Sequence, residues 1–151
     1  MNKLLTLCLI TKDHQVLLGM KKRGFGEGRW NGFGGKVAGG ETIEEAAIRE
    51  TKEEAGIDVL NLTEVGVLEF EFKGNPQILE VHVFTTSEYT GSPSESEEMR
   101  PEWFDFDAVP YTLMWPDDKF WLPLVLAGKK IKGRFAFGPG DAIIEHHLEE
   151  I

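Results

Sequence analysis

Three glutamates, Glu50, Glu53 and Glu54, lie close together in a segment of helical composition. At about 100° per residue, Glu53 lies beside a narrow helix face formed by Ile43, Ala46, Ala47, Glu50 and Glu54. A solvated acidic helix would instead carry its glutamates on the face opposite the alanines. Because unpaired buried carboxylates are costly through desolvation and mutual repulsion, the pattern predicts a neutralising cation.

A divalent metal ion is the simplest candidate for that cation. No basic cluster follows the stripe at helical spacing, although Arg49 lies next to it and could hold one glutamate. Ligands that are all oxygens suit Mg²⁺, or Mn²⁺ in its place, and do not suit zinc. Cys8 is the only cysteine, which leaves no cysteine cluster for zinc and no partner for an intrachain disulfide.

The helix that positions the glutamates is predicted over Thr42–Ala55. Thr42 and Glu45 have the spacing of a capping box, and Gly56 is placed to end the helix. Just before the helix, nine of the 17 glycines fall in the segment Gly19–Gly40. This segment also carries three aromatic residues, which a flexible linker would lack. We therefore expect a structured loop whose backbone approaches a ligand closely.

The remaining elements are predicted from apolar runs and the turns between them. A second helix is expected over Phe120–Ala127, and strands over Leu4–Thr11, Val16–Lys22, Leu62–Phe72, Ile78–Thr86, Glu102–Phe106, Ile131–Phe137 and Ala142–Leu148. Strands that pair across short turns, with only two helices, predict an α+β fold in which a mixed sheet is covered by helices. A length of 151 residues fits one domain over residues 1–151.

The segment Gly35–Ile57 resembles the signature of the Nudix hydrolases. Gly35 is followed after five residues by Glu41, and after seven more by the run Arg49-Glu50-Thr51-Lys52-Glu53-Glu54-Ala55-Gly56-Ile57. The signature fixes nine positions across these 23 residues, which makes a chance match very rare. Thr51 departs from it, because the family has a bulky aliphatic residue there, and we expect a packing cost with intact metal chemistry. The resemblance implies an α/β/α sandwich with a curved mixed sheet and two main helices.

The resemblance also implies roles for the acidic residues. The metal ligands would be Glu50, Glu53, Glu54 and Glu98, with the carbonyl of Gly34 or Gly35 nearby. Arg49 would orient a glutamate through a bidentate pair, and Glu41 would support the geometry of loop and helix. A metal-held water would attack a phosphorus of a nucleoside diphosphate derivative. The general base stays open among Glu53, Glu54 and Glu98.

Further stretches resemble one branch of the family, the MutT-like enzymes that hydrolyse oxidised purine nucleoside triphosphates to monophosphate and pyrophosphate. They are Val16–Gly26, Arg29–Val37, Glu98–Pro101 and Met114–Asp118. By this resemblance Asn31, Asp117 and Asp118 would read the purine edge and Trp115 would stack on the base. The walls of the pocket would be Phe25, Phe70, Phe72, Met99 and Trp121, and Thr6 and Lys21 would lie at the base and the sugar-phosphate end. Leu79 stands where the branch has methionine, which would shift the shape of the pocket slightly.

Plainer interpretations stay open for these residues. An Asp-Asp pair after proline commonly begins a helix, and two phenylalanines two apart in a strand are commonly core. A Nudix hydrolase of another nucleotide derivative and a catalytically inactive Nudix binding module are the alternatives. Other nucleotide motifs fail, since Val37 follows Gly35-Lys36 where a P-loop needs Ser or Thr.

The composition restricts the partners. A formal net charge of −10 disfavours a nucleic acid polymer, because phosphate backbones bind to basic surfaces. No stretch approaches the length of a membrane span, and the first residues do not fit a signal peptide. We expect a monomer without membrane association that is cytoplasmic, with a mitochondrial or nuclear fraction compatible with the sequence.

Overall fold

The computed structural model describes residues 2–151 and shows an eight-stranded mixed sheet. The sheet contains strands β1 (Lys3–Lys12), β2 (Gln15–Lys21), β3 (Trp30–Asn31), β5 (Thr63–Phe72), β6 (Asn75–Thr86), β8 (Met99–Asp105), β9 (Ile131–Phe137) and β10 (Ile143–Glu150). Two short strands, β4 (Asp58–Leu60) and β7 (Glu88–Thr90), pair separately. The helices are α1 (Ile43–Ala55) and α2 (Asp118–Leu126).

The strand order is β10-β9-β5-β6-β1-β2-β3, with β8 paired to β2. The pairs β1–β6 and β5–β9 are parallel, whereas β1–β2, β5–β6 and β9–β10 are antiparallel. The first hairpin turns at Asp13 and His14, which both adopt positive φ. The predicted mixed sheet is therefore confirmed.

The central strand β1 is buried on both faces. Along β1, Leu7 and Leu9 pack into the core cluster that includes α2, while Cys8 and Ile10 pack into the cluster that includes the end of α1. This alternation follows from the two-residue period of a strand. The arrangement confirms the expected sandwich of helix, sheet and helix. No helix in residues 2–151 is long and apolar enough to cross a membrane.

The glycine-rich segment fills a gap that opens where β1 separates from β2. The strand β3 pairs with β2 through Gly19 and Met20, and residues 33–36 run beside β1. Hydrogen bonds join the Cys8 amide to the Phe33 carbonyl and the Thr6 amide to the Gly35 carbonyl, the latter at 2.9 Å. The loop is therefore fixed to the central strand, as a ligand-binding loop requires.

Several predicted boundaries were wrong. The sequence interpretation missed β3, β4 and β7, and it began β8 at Glu102 rather than Met99. The second helix begins at Asp118, two residues earlier than predicted, and the last strand runs to Glu150. Strands of two or three residues are too short to show an alternating pattern, because they exist only through their pairing.

Candidate active site

The helix α1 is fixed at both ends. The Thr42 hydroxyl accepts a hydrogen bond from the Glu45 amide at 3.1 Å, and the Glu45 carboxylate accepts one from the Thr42 amide at 2.7 Å. At the other end Gly56 adopts φ 74°, and its amide donates to the Lys52 carbonyl. The predicted capping box and glycine C-cap are confirmed, and they set the rotation at which α1 presents its glutamates.

Glu54 is the buried member of the carboxylate group. Its side chain is only 5% exposed, and its Oε1 accepts a hydrogen bond from the Gly34 amide at 2.9 Å. Burial raises the pKa of Glu54 to about 7, and the nearby charges of Glu50 and Glu98 add to this, while the Gly34 amide and Lys21 partly offset it. The charged form of Glu54 is therefore destabilised mainly by the loss of water around it, and to a lesser extent by the two neighbouring carboxylates.

Arg49 connects α1 to the loop that precedes it. Its guanidinium forms a bidentate pair with Glu41, at 3.1 and 2.7 Å, and a single hydrogen bond with Glu50 at 2.7 Å. Glu41 also accepts from the Ala38 amide at 2.7 Å, and Arg49 with this amide lowers the pKa of Glu41 to about 2. The predicted bidentate pair of Arg49 with a glutamate is therefore confirmed: its partner is Glu41, which supports the loop as expected.

Two glycines allow the loop to approach the carboxylates. A Cβ on Gly35 would lie 2.7 Å from the Glu50 carboxyl carbon, and one on Gly34 would lie 1.9 Å from the Thr6 carbonyl oxygen. The Thr6 hydroxyl lies 3.3 Å from the Gly35 amide, which donates to it. Any side chain at these positions would displace either a carboxylate or the backbone of β1.

The predicted metal ligands Glu53 and Glu98 are more exposed than Glu54. Glu53 is exposed, with a long contact of 3.4 Å to Arg49. Glu98 forms ion pairs with Lys21 at 3.0 Å and with Arg23 at 2.9 Å, and these two hydrogen bonds lower its pKa. Within residues 2–151, no three Asp, Glu, His or Cys side chains are arranged as a metal ligand set.

The residues nevertheless fit a hard divalent cation. Glu50, Glu54 and Glu98 are close enough for the charges of the other two to raise the pKa of Glu54. The donor atoms are all oxygens, as Mg²⁺ and Mn²⁺ prefer. In the structure Glu50 is paired with Arg49 and Glu98 with Lys21 and Arg23, so binding of a cation would exchange these partners.

A cavity of about 260 Å³ adjoins the buried carboxylate. Its lining includes Glu54 and all fourteen residues that the sequence assigned to substrate, namely Thr6, Lys21, Phe25, Asn31, Gly34, Gly35, Phe70, Phe72, Leu79, Met99, Trp115, Asp117, Asp118 and Trp121. One cavity thus joins the residues predicted to bind the base to Glu54, the buried member of the predicted metal ligands. Their roles in binding stay a prediction.

An acid pair forms one part of the cavity lining. Asp117 and Asp118 are each 3% exposed, and Asp117 Oδ2 accepts a hydrogen bond from the Trp121 indole at 2.7 Å. Asp118 Oδ2 is the one buried side-chain oxygen or nitrogen in residues 2–151 without a hydrogen bond. The pair does begin α2, as the plainer interpretation expected, but neither Asp117 nor Asp118 caps the helix through its carboxylate.

Burial dominates the protonation of this pair. It raises the pKa of Asp117, and burial together with the charge of Asp117 raises the pKa of Asp118 well above its ordinary value. Two adjacent acids cannot both ionise cheaply in a dry site. The pair therefore retains a proton to higher pH than separate carboxyls would; in its singly protonated form one member accepts hydrogen bonds and the other donates one.

Aromatic rings form the walls of the cavity. Trp115 stacks with Phe25 at 5.0 Å between ring centroids and lies 6.1 Å from Phe72 in an edge arrangement. Phe72 stacks in turn on Phe137 at 5.2 Å. Phe25 is two-thirds exposed, so it forms the outer edge of this wall. Flat apolar surfaces of this kind stack on the faces of nucleotide bases.

Comparison with known proteins identifies the family. The NUDIX domain model matches residues 1–125 of the chain. The chain belongs to the Nudix family. It is 53% identical over 150 residues to the oxidized purine nucleoside triphosphate hydrolase of Danio rerio and 52% identical to that of Mus musculus, covering 99% of this chain and 96% of each relative. The crystal structure of a MutT protein from Bacillus halodurans superposes with a TM-score of 0.87 at 30% identity, over 97% of both chains.

Thr51 is the one departure from the Nudix signature, and it is fully buried. Its hydroxyl donates to the Ala47 carbonyl at 2.7 Å, one turn back along α1. It also lies beside Cys8. Burial raises the pKa of the Cys8 thiol to about 12, and a hydrogen bond with Thr51 offsets only part of this increase. The hydroxyl is satisfied, which limits the cost of a polar group in this core.

The sequence missed part of the lining of this Nudix hydrolase. Seven further residues contribute, namely Leu5, Leu7, Gly26, Gly32, Leu68, Val81 and Phe137. The three leucines and the valine lie within predicted strands, so knowledge of the strand pairing would have found them. Phe137 enters because β9 pairs in parallel with β5, which places it beside Phe72.

Proposed function

We propose that this Nudix hydrolase converts oxidised purine nucleoside triphosphates to the monophosphate and pyrophosphate. The observation that carries the proposal is the unpaired Asp118 Oδ2, fully buried in a cavity that also contains Glu54. A buried polar oxygen without a partner is costly, and a ligand that pairs with it recovers this cost. The substrate therefore presents polar groups on a flat ring system.

A purine oxidised at C8 or C2 suits this site because oxidation changes the donors and acceptors along its edge. Oxidation at C8 of guanine, for example, converts N7 from an acceptor into an N–H donor. One carboxylate accepts two such donors, while a protonated carboxyl donates to a purine oxygen. The acid pair of Asp117 and Asp118 supplies both patterns at once. Asn31, in the same lining, adds an amide, and its Oδ1 accepts from the Gly32 amide at 2.9 Å.

The phosphate end lies at the glycine-rich loop. Lys21 lines the cavity and supplies a positive charge for the phosphates. A divalent cation, when bound, would be held by Glu50, Glu53, Glu54 and Glu98 with a carbonyl of the loop, and would stabilise phosphoryl charge and acidify a water molecule. Arg49 and Glu41 fix the loop relative to α1, which keeps the phosphates and the carboxylates in register.

Similarity to proteins named for this activity supports the proposal. The relatives from Danio rerio and Mus musculus share about half of their residues with this chain over nearly their whole length. A net charge of −10 suits a free nucleotide better than a nucleic acid polymer. We further propose that the enzyme is a cytoplasmic monomer that removes mutagenic nucleotides from the precursor pool before they enter DNA.

The test is a comparison of substrates with product identification. Pyrophosphate and nucleoside monophosphate are quantified with Mg²⁺ for 8-oxo-dGTP, 2-hydroxy-dATP, dGTP, a dinucleoside polyphosphate and a nucleotide sugar. We expect preferred turnover of the oxidised purines, with 8-oxo-dATP and O6-methyl-dGTP as further substrates to rank. Glu54→Gln should abolish turnover, because it removes the charge of the buried carboxylate.

Two results would contradict the proposal. Preferred turnover of the dinucleoside polyphosphate or the nucleotide sugar would show a Nudix hydrolase of another substrate class. Tight nucleotide binding without turnover in the wild type would show a binding module. In that case Glu54→Gln would leave affinity intact with no activity to lose.

A further inference from the structure

The Trp115 ring has a cation against it that no part of the proposed reaction uses. The Arg29 guanidinium carbon lies 4.1 Å from the Trp115 ring centroid. Trp115 lines the cavity, whereas Arg29 does not. The guanidinium therefore contacts a wall residue of the cavity without itself lining the cavity.

The guanidinium is held in place from a distant part of the chain. Arg29 Nη1 pairs with Asp141 Oδ2 at 3.0 Å, and both side chains are about two-thirds buried. Asp141 adopts φ 61° in the turn that follows β9, and its amide donates to the Gly138 carbonyl at 3.1 Å. On the other side, the Arg29 carbonyl accepts from the Lys21 amide at 3.0 Å. Both ends of the contact are thus fixed to strands that line the cavity.

We propose that Arg29, held by Asp141, is a positioning residue for base selectivity that fixes the Trp115 ring and places a permanent positive charge beside the Asp117–Asp118 pair. The inference rests on the proposed function, which it deepens by adding a residue outside the cavity. An ion pair of this kind contributes little stability at a surface. Here the ion pair holds the guanidinium against the Trp115 ring and so orients that ring, since a cation is attracted to the face of an indole.

The charge of Arg29 also reaches the acid pair. Burial raises the pKa of Asp117 and Asp118, and Arg29 acts in the opposite direction on both. Tyr111 also interacts with the pair, and its pKa is raised by burial and by the charge of Asp118. Lys21 and Glu54 are the remaining charged residues of the cavity lining. Removing Arg29 would therefore keep the pair protonated to higher pH.

The test measures binding without metal, so that it does not depend on phosphate chemistry. The dissociation constants of 8-oxo-dGMP and dGMP are measured by calorimetry in EDTA from pH 5 to pH 9. The proteins are the wild type, Arg29→Met, Arg29→Lys and Asp141→Asn. Arg134→Met is the matched control, because Arg134 has only a loose ion pair of 3.8 Å with Glu71 and does not line the cavity. Thermal unfolding confirms that each variant is folded.

Charge and ring orientation give different expected results. Arg29→Met should weaken the binding of 8-oxo-dGMP by about tenfold and move the pH of maximal affinity upward. Arg29→Lys keeps the charge but not the planar contact, so affinity should fall with the pH optimum unchanged. Asp141→Asn should lie between the wild type and Arg29→Met, and Arg134→Met should match the wild type.

The inference is overturned if Arg29→Met binds like the wild type, or if Arg29→Lys and Arg29→Met move the pH optimum equally. The proposed function fails separately, if the wild type prefers dGMP or binds both nucleotides equally. The variants are then compared on whichever nucleotide the wild type binds more tightly, and the same criteria apply. A wild type that binds neither nucleotide contradicts both proposals.

Discussion

Replacing Asp118 by asparagine tests the proposal that the cavity distinguishes one oxidised purine from another. Asp118 is 3% exposed, its Oδ2 has no hydrogen bond, and burial with the charge of Asp117 raises its pKa well above the ordinary value. Asparagine resembles a protonated aspartic acid, since it has one acceptor and a donor. It differs in that it never becomes a carboxylate, so the exchange of protons within the pair is lost.

The size of the effect follows from burial. A hydrogen bond left unmade in a dry site costs about 1–3 kcal/mol, which corresponds to about 5- to 150-fold in kcat/KM. Asp118→Asn should therefore leave one of 8-oxo-dGTP and 2-hydroxy-dATP within a few-fold of the wild type and reduce the other by about tenfold or more. The ratio of the two kcat/KM values is the quantity that changes.

The assay is pyrophosphate release with Mg²⁺ on both substrates at several concentrations. Asp105→Asn is the matched control, because Asp105 is exposed and its carboxylate pairs with Gln15. That variant should keep the wild-type ratio. An equal loss on both substrates in Asp118→Asn, or no loss on either, would refute the assignment of Asp118 to base selectivity.

Three further predictions concern the loop, the buried carboxylate and the outer face of the sheet. Gly35→Ala should keep the fold but reduce kcat by about tenfold or more, because its methyl group displaces the flexible Glu50 carboxylate. Gly34→Ala should unfold at a markedly lower temperature, because its methyl group clashes with the backbone carbonyl of Thr6. In EDTA, raising the pH from 4.5 to 8 should lower the free energy of unfolding of the wild type by about 3 kcal/mol more than that of Glu54→Gln. The pKa of Glu54 is raised from 4.5 to about 7, and the protonated form that stabilises the folded state is lost as the pH rises. Burial lowers the pKa of His82, but hydrogen bonds to two glutamates outweigh this effect and raise the pKa above 6.5. The charged imidazole therefore stabilises the folded state at low pH. Urea unfolding should show that His82→Gln destabilises the protein at pH 6 and much less at pH 9.

The helix α1 could be predicted from the sequence because its determinants are local. The capping box of Thr42 and Glu45, the terminal Gly56 and the spacing of the carboxylates all lie within 15 residues, and the structure confirms both caps. The difference in burial between Glu53 and Glu54 was not predicted, although both were assigned to the metal. Helical spacing places both near one face, and only the docking of α1 against the loop decides which is buried.

The contacts that were missed join residues far apart in the sequence. Arg29 and Asp141 are 112 residues apart, and Phe137 reaches the cavity through the parallel pairing of β9 with β5. No local periodicity carries such information. The ion pairs of Glu98 were also not predicted, because they depend on the pairing of β8 with β2, which places Glu98 beside Lys21 and Arg23.

The central claim is that the cavity selects a purine by its oxidation. The most direct measurement is kcat/KM of the wild type for 8-oxo-dGTP and for dGTP, by pyrophosphate release under identical Mg²⁺ and pH. The two substrates differ only at C8 and N7, so each extra hydrogen bond with the acid pair should favour the oxidised form by about tenfold or more. A ratio of about 10 or above supports the account, and a ratio near 1 contradicts it.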